Sequence, residues 1–142
     1  MKRIVTIIVV GLLALFLLIQ LVPYGRQHTN PPVVQEPKWD SPQTKELARR
    51  ACFDCHSNET VWPWYSNIAP VSWLVQRDVV EGRQYLNFSD WGHVREADEI
   101  PQVVSGGQMP PSQFLIMHSE ARLTQTERDA LISGLQATVR GQ

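Results

Sequence analysis

From Ile4 to Val22 the chain runs nineteen positions without a charged side chain, Gln20 being the most polar among them. As a helix rising about 1.5 Å per residue, such a run covers the ~30 Å hydrocarbon core of a bilayer. It reads as a membrane anchor or a signal peptide. Gln20-Leu21-Val22-Pro23-Tyr24-Gly25 lacks the pair of small residues that marks a cleavage site, so an uncleaved anchor over residues 1–25 is expected. Lys2 and Arg3 precede the run and only Arg26 lies just after it. That bias leaves the N-terminus in the cytoplasm, giving a single-pass protein of the inner (cytoplasmic) membrane with its soluble part on the periplasmic or extracytoplasmic side.

The remainder of this 142-residue chain is enough for one small domain. Beyond Arg26 there are 10 basic residues against 14 acidic ones. A mildly acidic surface without a Lys/Arg stripe excludes nucleic acid as a partner and suits a redox partner with a basic docking patch. Residues 26–39, with Pro31, Pro32 and Pro37, favour an extended tether. The domain proper is expected over 40–140.

Asp40 or Ser41 can cap a helix with Pro42 in its first turn, and Leu47, Ala48 and Ala51 share its apolar face up to Cys52. A middle helix is predicted around Trp73 to Glu81, inside a stretch rich in Trp and Tyr. The segment through Glu96, Gly106-Gly107 and Met109-Pro110-Pro111 is assigned to loop. Thr124 and Glu127 form a T-x-x-E capping box ahead of Leu131, Ile132, Leu135 and Val139, which repeat at helical spacing. No alternating pattern competes anywhere, so the fold class is all-α.

At the end of the first of these helices stands Cys52-Phe53-Asp54-Cys55-His56. Two thiols three apart and an imidazole four from the first share one side of a helical turn. In this C-x-x-C-H spacing the thiols add across haem vinyl groups as thioethers while the imidazole reaches the iron, so one covalent haem c is expected. A structural zinc site needs four ligands, and His28, His93 and His118 supply no second pairing. A thioredoxin-like dithiol opens a helix after a strand, and no strand is expected here. A disulfide closing so small a loop would stabilise little.

Met109, between flexible Gly106-Gly107 and Pro110, is the leading candidate for the distal axial ligand. His118 is its rival and would give bis-histidine ligation. Met117, in Phe114-Leu115-Ile116-Met117, is expected in the core. The aromatic stretch from Trp62 to Trp91 is expected to wall the haem from water.

The combination of Cys52-x-x-Cys55-His56-Ser57-Asn58, Pro63-Trp64-Tyr65, Asp78-Val79, Gly82-Arg83, Leu86-Asn87-Phe88-Ser89, Trp91, Gly107-Gln108-Met109-Pro110-Pro111 and His118 resembles the bacterial haem-binding domain family of small, often membrane-tethered monohaem cytochromes. The likeness extends over roughly Pro37 to Gln136. It implies a cytochrome c-like helical domain around one haem c held by Cys52 and Cys55, His56 as proximal ligand and, by similarity to class I cytochromes, Met109 as distal ligand. One-electron transfer in the periplasm is the expected function, with no substrate transformed. The competing expectation is a haem-based sensor or peroxidase-like protein whose distal ligand is displaceable.

Overall fold

In the computed structural model, which describes residues 1–142, helices carry the architecture and the one β feature is an isolated parallel bridge between Gln35 and Asp90. Seven α-helices follow in order: α1 (Lys2–Ile19), α2 (Pro42–Ala51), α3 (Phe53–His56), α4 (Val71–Tyr85), α5 (Ile100–Ser105), α6 (Ser112–Met117) and α7 (Gln125–Arg140). Residues 1–29 and 62–78 make one compact unit, and residues 30–61 and 79–142 the other.

In the first unit α1 carries no charge from Ile4 onward, buries no residue and is long enough to cross a bilayer. Its end is secured by Gln20, whose Nε2 donates to the carbonyls of Phe16 and Ala69 while its Oε1 accepts from the Ala69 amide. The chain then turns at Gly25 (φ +84°), where a Cβ would run into the Ser72 carbonyl, so glycine is needed twice over. His28 stacks on Trp62 with ring centroids 4.6 Å apart, and its Nε2 lies 3.1 Å from the Ser66 carbonyl.

The second unit is built where sequence rules pointed. Ser41 caps α2, its Oγ accepting from the Thr44 amide, with Pro42 at the first helical position. The Thr124 capping box on α7 is complete in both directions. The apolar stripes of α2 and α7 meet in a core of Leu47, Ala48, Phe53, Phe88, Trp91, Ile100, Val104, Leu131 and Leu135. Phe53, Phe88 and Trp91 stack successively at 5.5 and 5.9 Å between centroids. Gly134 lets α7 lie on α2, since a Cβ there would enter the Thr44 side chain.

Four local expectations are corrected. Within the stretch expected as loop, Ile100–Ser105 is helical, because Ile100, Pro101 and Val104 bury against the core. Residues 30–39 are extended but fastened: Val34 and Gln35 donate to the Ser89 carbonyl, Trp91 donates to that of Gln35, and Trp39 packs on the core. Met117 is 58 % exposed rather than core. The aromatic stretch is no single wall, since Phe88 and Trp91 are buried while Trp64 and Tyr85 stand exposed.

Candidate haem site

Cys52 caps α2 and starts the next turn, its carbonyl accepting from the amides of Cys55 (3.2 Å) and His56 (2.9 Å). The motif is thus one tight turn wound on Cys52. Both cysteines are half-buried thiols with no disulfide between them. Desolvation, with Cys55 beside it, pushes the Cys52 thiol up to about 12, so it is held protonated.

His56 is fixed by α4. Its Nδ1 is 2.9 Å from the Gly82 carbonyl and 3.1 Å from that of Leu86. Both partners only accept, so Nδ1 carries the proton and Nε2 keeps its lone pair. Burial holds the ring below its ordinary pKa, favouring this neutral form. Gly82 permits the approach, because a Cβ there would lie 2.5 Å from the Cys55 carbonyl oxygen.

Polar residues around the motif serve as its clamps. Arg83 Nε donates to the Ser57 carbonyl (2.7 Å), and its Nη2 reaches Asn30 and Thr60. Asn87 links Asn58 to the Ser89 amide, the Phe88 amide donates to the His56 carbonyl, and the Ser89 hydroxyl accepts from the Asn58 amide. Thr60 donates to the Asp54 carbonyl, and the Asp54 carboxylate accepts from the Val61 amide. Spacing in the sequence points to the cysteines and the histidine but gives these polar residues no role. Asparagine and serine beside a metal motif were the available signal, since such side chains bond backbone groups at short range.

Met109 lies two residues past Gly107 (φ +70°), its amide donating to the Val103 carbonyl near the end of α5. It is half-buried and packs on the same core cluster as Cys52, so the fold brings the leading distal candidate and the motif to one apolar body. His118 is also close to the motif by another route: its Nδ1 is 3.6 Å from Asp54 and 3.1 Å from Glu120, and its ring stacks on Phe114 at 3.9 Å. His28 and His93 take no part; His93 is exposed and pairs with Asp90.

Two uncrosslinked thiols, a neutral imidazole with its Nε2 lone pair available, a backbone cradle requiring glycine and an apolar flank carrying a thioether form a donor set that fits a haem. Fold and site therefore define a small all-helical haem-binding protein. The chain belongs to the haem-binding domain family, whose model matches residues 14–137. No curated protein and no solved structure matches it.

Proposed function

We propose that this protein is a membrane-anchored monohaem c-type cytochrome that passes single electrons on the periplasmic or extracytoplasmic side of the inner membrane. The observation that carries the reading is His56, locked through Nδ1 to the Gly82 and Leu86 carbonyls beside two uncrosslinked thiols. Cys52 and Cys55 would hold the haem as thioethers, and His56 and Met109 would ligate its iron. When bound, the haem supplies a one-electron couple that a thioether ligand biases towards the ferrous state. Around it Gly82 and Leu86 orient the proximal ring, and the Phe88–Trp91 core keeps water away. Helix α1, with Lys2 and Arg3 in its first turn and an uncharged run after them, holds the domain at the membrane.

The test is expression of the full chain with haem staining after denaturing electrophoresis, followed by spectroscopy. Wild type should retain haem through denaturation, and Cys52→Ala with Cys55→Ala should lose it. Met109→Ala should remove the sulfur-to-iron charge-transfer band, whereas loss of ligation in His118→Ala instead would transfer the distal role to His118. Rapid carbon monoxide binding by the reduced wild type would overturn the carrier reading, because a site with both axial positions filled binds it poorly.

A further inference from the structure

From Trp62 to Gln76 fifteen consecutive residues carry no Asp, Glu, Lys, Arg or His. A water-facing segment of that length ordinarily carries charge, and single apolar residues scattered on a surface need no explanation. Here they are grouped: Trp64 is 73 % exposed, Ile68 36 %, Val71 41 % and Leu74 42 %. The other large residues, Trp62, Tyr65 and Trp73, are half-buried and bear a polar handle on an apolar ring, the side chains that favour a membrane–water boundary. The first charges after the segment, Arg77 and Asp78, pair with each other.

This segment is fastened to the end of α1. Gln20 holds Ala69 through both halves of its amide, at 2.9 and 3.0 Å, and its Oε1 also accepts from Arg26 at 3.2 Å. Gly25 lies on the Ser72 backbone, and His28 on Trp62. The 18 residues of α1 span about 27 Å. Gln20 thus falls where a helix crossing a ~30 Å hydrocarbon layer emerges, and Ala69, hydrogen-bonded to it, falls at the same depth.

We infer that residues 62–76 form a membrane-interface foot: Trp64, Ile68, Val71 and Leu74 enter the headgroup and outer acyl region around the exit of α1, so the chain meets lipid by a second, non-spanning contact. The inference rests on the anchor reading of α1. The occupant is lipid rather than a protein because the segment is hydrogen-bonded to the end of the apolar helix and presents no charge for a partner to read.

The test is photolabelling of the full, haem-loaded chain in pure phospholipid vesicles, with a diazirine on the lipid acyl chain and adducts mapped by mass spectrometry. Adducts are expected on peptides from both 4–19 and 62–76. In a Trp64→Ser, Leu74→Ser variant the 62–76 adducts should be largely lost while those on 4–19 and the haem content stay unchanged. Milder Trp64→Phe, which keeps the ring, should retain the label and guards against misfolding of the double variant. Label on 4–19 with none on 62–76 overturns the foot and leaves the anchor standing. Absence of label from both overturns the two together. A photoreactive leucine analogue placed at position 74 that joins two copies of the chain, with no lipid adducts on 62–76, would assign the face to a second copy and also overturn it.

Discussion

Gly82 sits where two requirements of the site coincide. Its carbonyl takes the His56 Nδ1 proton, and its missing side chain lets α4 come against the Cys55 backbone. A methyl group there cannot be relieved by a flexible neighbour, because the atom it meets is a main-chain oxygen. Gly82→Ala is therefore expected to cost about 1–3 kcal/mol, as overpacking does in a close-packed interior. Denaturant unfolding of the haem-loaded protein should show that loss together with a lower haem yield. Unaltered stability and loading would mean that α4 moves freely over the motif. Cys52, Cys55 and His56 could be singled out in the sequence because the pattern they form is a local spacing. Gly82, Arg83 and Asn87 stood in the resemblance without a role, since their contacts with the motif span 26 to 29 positions that no local pattern encodes.

At the scale of elements, α7 owes its start to Thr124 and Glu127. Glu127 also receives Arg50 Nη1 at 2.6 Å, and Arg50 further donates to the Glu120 carbonyl. The Arg50 hydrogen bond, followed by those from Thr124, pulls the Glu127 carboxyl from 4.5 to about 2. A carboxyl with a depressed folded value binds its proton more readily in the unfolded chain. Its contribution is therefore fully present above the ordinary carboxylate range and is lost as pH falls from there towards 2. Thermal melts should find Glu127→Gln less stable than wild type at neutral pH and nearly equal to it in strong acid. A gap that persists in acid would place the effect in packing. The capping box could be read from sequence because it occupies four consecutive residues. The helices α5 and α6 could not, being six residues each, too short for an apolar period to repeat. Residues 30–39 looked like free tether because prolines speak only of local stiffness, whereas Val34, Gln35 and Trp39 are held by partners remote in the chain.

For the whole molecule, the proposed electron-carrier role makes net charge the property that would set how a soluble redox partner is met. Past Arg26 the chain carries 14 acidic and 10 basic residues. Electron transfer to a basic soluble acceptor is expected to slow as salt rises from roughly 0.01 M to 1 M, over which the screening length shrinks from about 30 to 3 Å. Stopped-flow rates would check this, and a rate indifferent to salt would remove electrostatic steering from the account.

The bond between Gln20 and Ala69 also orders events in time. Its partners are 49 residues apart. At roughly 5–20 residues per second of synthesis, Gln20 waits about 2–10 s for Ala69 to be made. Within that interval Cys52, Cys55 and His56 are polymerised, ahead of both carbonyls that later hold the imidazole. The nascent chain therefore offers its thiols while the ring is still able to turn, and in the folded protein the ring is held and the thiols are half-buried.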